Sequence, residues 1–171
     1  MMFMIGRLRH TALVALSLLT ATSILADGRA SAKMDVTALV VSNCRMTLTP
    51  LSFGSYDPLG ANATQELDAT ATLSLTCTRD SVATIAIDRG LNPTGGNLTR
   101  RLAAGTQRLD YEIYRDAART ETWSAGQNAQ RYVSAAGITS TSELLVYGRI
   151  PSGQDVASGN YNDVVTATVD F

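Results

Sequence analysis

The stretch that most constrains the fold is Gly159 to Phe171, GNYNDVVTATVDF. Val165, Ala167, Val169 and Phe171 alternate with Val164, Thr166, Thr168 and Asp170. A period of two puts one set on each face of a β-strand, so the stretch is expected as a strand with one apolar face. The sequence stops on that strand's aromatic residue, without a turn or a returning neighbour. The expectation is a sheet with one edge unpaired and part of its core uncovered. An apolar edge of that kind invites pairing with another chain, and proteins either blunt it or use it.

Other segments repeat the pattern. In Thr70 to Thr78, Ala71, Leu73, Leu75 and Cys77 face one way and the intervening Thr and Ser the other. Val82 to Asp88 sets Ala83, Ile85 and Ile87 on one face, and Arg108 to Arg115 does so with Leu109, Tyr111 and Ile113. Ser142 to Ile150 runs through Leu144, Val146 and Gly148 to a stop at Pro151, and Cys44 to Thr49 places Met46 and Leu48 together. Turn-rich stretches separate them at Phe53 to Pro58, Asn92 to Asn97 and Ser152 to Asn160. About six strands after Cys44, with no helical periodicity, predict an antiparallel β-sandwich.

An immunoglobulin-type sandwich needs one strand more. An additional apolar stretch, Met34 to Ser42, instead precedes Cys44, with Met34, Val36, Ala38 and Val40 alternating with Asp35, Thr37, Leu39 and Val41. Two readings stand for it: the first strand of the sheet, or a strand free to leave the domain. The second, combined with the missing last strand, describes a head-to-tail polymer in which each front strand fills its neighbour's gap.

Residues 1–32 read as a secretory signal peptide. Arg7 and Arg9 precede an apolar run from Thr11 to Ala26, and Ala30-Ser31-Ala32 is a small-x-small cleavage site that leaves Lys33 first. Cleavage after Ala26 is the competing choice. As a membrane anchor the run is short and rich in Thr and Ser. Its removal takes away His10, the single histidine, so histidine-dependent triads and histidine-ligated metal sites are excluded. No phosphate-binding glycine loop occurs, and no acidic pair stands out for catalysis. The chain is therefore expected to be no enzyme and to need no cofactor or metal. A net charge of −1 gives no reason to expect a nucleic-acid partner.

The two cysteines, Cys44 and Cys77, read as a structural disulfide in an exported protein, since no CxxC spacing suggests redox chemistry. Closing that loop stabilises the fold by roughly 3–4 kcal/mol on the chain-entropy model. Arg100-Arg101 reads as a solvated surface pair rather than an anion site. Trp123 reads either as a sugar platform or as a cover over one end of the core. Asn62-Ala63-Thr64 and Asn97-Leu98-Thr99 match the glycosylation sequon, a match common by chance.

In this order, the front strand, FGSYDP at Phe53 to Pro58, LSLTC at Leu73 to Cys77, LDYEIYRDAART at Leu109 to Thr120, Trp123, VYGRIP at Val146 to Pro151 and GNYNDVVTATVDF resemble the spore coat protein U domain, the domain of archaic (Csu-type) chaperone-usher pilus subunits. The resemblance covers essentially all of residues 33–171. It implies a signal peptide (1–32), an N-terminal donor-strand extension (33–43) and an incomplete immunoglobulin-like domain (44–171) that lacks its final strand. The resemblance also implies that a periplasmic chaperone lends the missing strand, and that at an outer-membrane usher the next subunit's extension replaces it. Carried over by position, Met34, Val36, Ala38 and Val40 look like the donor residues, and Val165, Ala167, Val169 and Phe171 like a wall of the acceptor groove. Ala38 is small for a donor position, which implies a shallow pocket or one filled from the acceptor side. The implied function is a structural subunit of a surface pilus, built from identical or related subunits and serving adhesion and biofilm formation. The alternatives are a spore-coat or surface-layer protein and a tip adhesin.

Overall fold

A computed structural model describes residues 28–93 and 99–171. The greater part of the expected signal peptide, and Asn97 with its sequon, lie outside the described residues. The chain divides into two units after Ala38. In the first, residues 28–38 carry no helix or strand and are exposed.

The second unit, Leu39–Phe171, contains the strands. These are β1 (Cys44–Leu48), β2 (Leu67–Cys77), β3 (Val82–Ile87), β4 (Arg100–Ala104), β5 (Gln107–Tyr114), β6 (Gln130–Val133), β7 (Ser142–Ile150) and β8 (Ala167–Asp170). Every pairing is antiparallel. One sheet has the order β1-β2-β7-β5-β4 and the other β6-β3-β8. This is an all-β, incomplete immunoglobulin-like sandwich. Among the described residues, its only helical segments are three single turns of 3-10 type.

The period-two pattern sets the core. Leu73, Leu75 and Cys77 of β2, Ala83, Ile85 and Ile87 of β3, Leu109, Tyr111 and Ile113 of β5, and Val146 and Ile150 of β7 are all buried. Their polar alternates stay at the surface, as the pleat requires. Trp123 closes this core: it is 1% exposed, and its indole N–H donates to the Ile85 carbonyl at 2.9 Å. It is therefore a core residue and offers no platform to a sugar. Gly148 faces inward on β7 because Leu51 and Phe53 lie against it; a Cβ there would stand 2.7 Å from Leu51 Cδ2 and 2.8 Å from Phe53 Cζ.

Cys44 and Cys77 are directly opposite in the β1–β2 register and are joined as a disulfide, 33 residues apart in sequence. The approach to β1 is held as well. The Ser42 hydroxyl donates to Ser81 Oγ at 2.9 Å, and the Thr78 N–H donates to the Asn43 carbonyl at 2.9 Å.

Three expectations need correction. The strand count from Cys44 is eight among the described residues, because β4 and β6 were missed. Both are short, and the first is written RRLAA and the second QRYV, with no apolar alternation; neighbouring strands select them. The last stretch is not one long strand. Asn162 exchanges hydrogen bonds with Ala103 of β4, at 2.8 and 3.1 Å, whereas Ala167–Asp170 pair with β3. The chain crosses from one sheet to the other between them, and only its end forms a ladder. Arg100 is no surface residue: it is fully buried. The sequon at Asn62 is closed too, since that side chain is 5% exposed and accepts from the Asp57 N–H at 2.9 Å.

Candidate functional site

Each sheet ends on a strand with one neighbour. Among the described residues β1 pairs only with β2, and β8 pairs only with β3. At the start of the β8 ladder the Asp88 N–H donates to the Thr166 carbonyl at 2.9 Å, and the Thr166 N–H donates to Asp88 Oδ1 at 2.9 Å. Main-chain groups of Thr166, Thr168 and Asp170 thus point at β3. In an antiparallel ladder the intervening residues point theirs the other way. Val165, Ala167 and Val169, whose side chains are half-buried against the core, therefore turn their N–H and C=O groups to the open edge. One set of residues presents apolar side chains and main-chain partners together, as strand addition demands.

An apolar cleft of about 480 Å³ is lined by the end of β1 and by the segment that leads into β8. Leu48 and Leu51 form one wall, Val164 and Val165 the other, and Ala71, Ile113 and Val146 belong to its floor. A second cleft of about 600 Å³ continues it toward Tyr161, past Tyr56, Leu109 and Ile150. A third, of about 590 Å³, sits at the disulfide end, with Val40, Val41, Ile138 and Phe171 in its lining.

The wall is braced by a buried cation. Arg100 donates from Nε to the Asp88 carbonyl at 2.8 Å, and from Nη2 to the carbonyls of Ile87 at 2.9 Å and Trp123 at 2.8 Å. Its Nη1 is paired with Glu112. Burial lowers the Arg100 pKa, Glu112 opposes that, and the guanidinium stays charged. Burial works against ionised Asp88, but the Thr166 and Gly90 N–H groups outweigh it and lower its pKa. Asp163, in the cleft wall, accepts from the Tyr111 hydroxyl at 2.8 Å and from the Leu91 N–H at 2.9 Å. Burial first, then Asp163, raises the Tyr111 pKa far above the ordinary phenol value. Through these contacts the end of β3 and the segment before β8 are fixed to the first sheet.

The structure distributes the residues singled out from the sequence. Val165 lines the cleft, Ala167 and Val169 pair with Ile87 and Ile85, and Phe171 stands 54% exposed at the disulfide end. Met34, Val36 and Val40 are 83%, 82% and 84% exposed, and no strand is formed at residues 28–43. Leu51 and Phe53 were missed as cleft residues because they fall beside a turn-rich loop; their alternation with Pro50 and Ser52 was the available signal. Among the described residues no group of three or more His, Cys, Asp or Glu is placed to hold a metal ion.

Residues 30–168 match the model of the Spore Coat Protein U domain. This chain belongs to that family. A curated relative, Protein U of Myxococcus xanthus, is 38% identical over 129 residues, covering 71% of each chain. Among solved structures, this spore coat protein U domain is similar to a chain of the CsuC–CsuE chaperone–tip adhesion subunit pre-assembly complex from the archaic chaperone-usher Csu pili of Acinetobacter baumannii. That likeness has a TM-score of 0.58 at 18% identity and covers 77% of this chain. The chain spans 40% of that structure's length, and the likeness is one of fold.

Proposed function

We propose that this spore coat protein U domain is a structural, non-catalytic subunit of a surface pilus that polymerises by donor-strand exchange. Residues 1–32 direct export, 33–43 are the donor extension and 44–171 the acceptor domain. Met34, Val36, Ala38 and Val40 of one subunit enter the next subunit's groove, of which Val165, Ala167, Val169 and Phe171 form one wall. A periplasmic chaperone covers the groove before assembly, an outer-membrane usher exchanges it for the neighbour's extension, and the extracellular fibre serves adhesion and biofilm formation. The observation that carries this reading is the unpaired edge of β8, continued by Val164 and Val165, which line an apolar cleft together with Leu48 of β1.

Burial of the four donor side chains contributes on the order of 5–10 kcal/mol before ordering costs. The ladder bonds add register, because a one-residue slip would turn Asp35 and Thr37 into the groove. Val36 is 82% exposed, so Val36→Asp leaves the subunit's own packing alone. The processed chain is expected to give a ladder of SDS-resistant species, Val36→Asp to abolish it, and Asp35→Ala to keep it. A Val36→Asp protein that polymerises like the unaltered one sinks the reading.

The name of the matched family favours one other reading, a coat or surface-layer protein assembled through the same groove. It differs in one measurable respect: its surface assembly would persist in cells without a chaperone-usher pair, where the pilus subunit would be degraded.

A further inference from the structure

The two clefts beside the last segment share three side chains, Leu51, Phe53 and Leu102, which stand between them. Phe53 is held on more than one side. Its ring meets Tyr111 edge-on, with centroids 6.1 Å apart and planes at 66°. Its tip lies so near Gly148 that a Cβ at that position would stand 2.8 Å from Cζ. The ring is thus a ridge shared by the two clefts and packed against Tyr111 and Gly148. The cleft beside Val165 lies on one side of the ridge and the cleft beside Tyr161 on the other.

The front segment has a matching profile. Its apolar set reads large, large, small, large: Met34, Val36, Ala38, Val40. Same-face side chains on a strand are about 6.6–6.8 Å apart. Every strand pair in this fold is antiparallel, so a strand added to β8 in that sense runs from the Asp170 end toward the Tyr161 end. Later residues of the added strand then lie nearer Tyr161.

We propose that Phe53 is the size filter of the groove and selects alanine at position 38 of the incoming subunit. This deepens the donor-strand reading above and rests on it. Val36 of the second copy seats beside Val165, Ala38 crosses the Phe53 ring, and Val40 seats beside Tyr161. The small residue is thus a requirement of the site. A larger side chain at position 38 meets a ring that Tyr111 and the backbone at Gly148 keep from yielding. The ridge also completes the specification of register. Alternation excludes slips by odd numbers of residues, because these expose the wrong face to the groove. A slip by two keeps the face but brings Val36 or Val40 over the ring, so the ridge excludes the even slips that alternation permits.

The test measures binding of two fluorescent peptides of residues 33–43, the native sequence and its Ala38→Leu form, to the processed chain and to its Phe53→Ala and Phe53→Leu variants. The ratio of the two affinities is the readout, since the protein's own extension competes equally with both peptides. On the unaltered protein the Ala38→Leu peptide is expected to bind about 10-fold more weakly or worse, the range that overpacking a well-filled site produces. On Phe53→Ala the preference reverses, and on Phe53→Leu, the smaller change should the alanine variant not fold, the gap narrows. Equal affinity of the two peptides for the unaltered protein overturns the filter and leaves the groove standing. A preference for alanine that persists unchanged in both variants places the limit elsewhere and also overturns it. If neither peptide binds any of the proteins, the donor-strand reading falls and the filter with it.

Discussion

Replacing Arg100 by methionine keeps an unbranched apolar stem, shorter than that of arginine, and removes every donor. In the folded protein the guanidinium satisfies three carbonyls, those of Ile87, Asp88 and Trp123, and pairs with Glu112. A buried carbonyl deprived of its partner costs about 1–3 kcal/mol, so three give a gross loss of about 3–9 kcal/mol. Relief from burying a charge offsets part of this. Glu112 is not wholly stranded, because Arg89 lies 3.5 Å from its other oxygen. A net loss of about 3–5 kcal/mol follows, the range measured when one partner of a buried pair is removed. Against a total stability of about 5–15 kcal/mol for a domain, that is a large share. The assay is equilibrium urea unfolding of the oxidised chain, followed by the fluorescence of Trp123. Because Arg100 holds Asp88, and Asp88 holds Thr166, Arg100→Met is also expected to weaken capture of the 33–43 peptide. Arg100→Lys, which keeps the charge but not the planar fork, should fall between the two. A midpoint for Arg100→Met that corresponds to a loss below about 1 kcal/mol would refute the reasoning, since buried acceptors left unpaired cannot cost so little.

Two further outcomes follow from the geometry. Reducing the Cys44–Cys77 bond reopens a long loop and should lower stability by about 3–4 kcal/mol on the chain-entropy model, which paired urea titrations with and without reductant measure. Asp88 has a folded pKa below its unfolded value, so its contribution is present above the unfolded value of about 3.9 and is lost as pH falls through the folded one. Asp88→Asn should therefore flatten part of the stability loss between neutral pH and strong acid, read from unfolding midpoints across that range, and an unchanged acid slope would refute the assignment.

Much of the fold was legible because burial in a sandwich writes a period of two into the sequence. Ala71 to Cys77, Ala83 to Ile87 and Leu109 to Ile113 alternate as written and are buried as written. The strands that escaped are those with little apolar signal of their own. β4 opens on two arginines, and burial of the first depends on carbonyls contributed by β3 and by the segment at Trp123. A residue's partners from distant parts of the chain leave no mark on its local pattern, so Arg100 read as surface. Asn62 differs, since its amide is taken up within its own turn, by Asp57 and Gln65.

The sequence by itself determined the all-β class, the faces of the main strands, the pairing open to Cys44 and Cys77, and the family. These follow from local alternation, from residue counts and from an ordered set of short motifs. Only the tertiary structure decided that Gly159 to Phe171 changes sheets instead of forming one strand, that Leu51 and Phe53 lie across the cleft, and that Arg100 braces its wall. The physical reason is common to all three. Each depends on which main-chain groups and which volumes come together from segments tens of residues apart, and close packing settles such choices for the molecule as a whole.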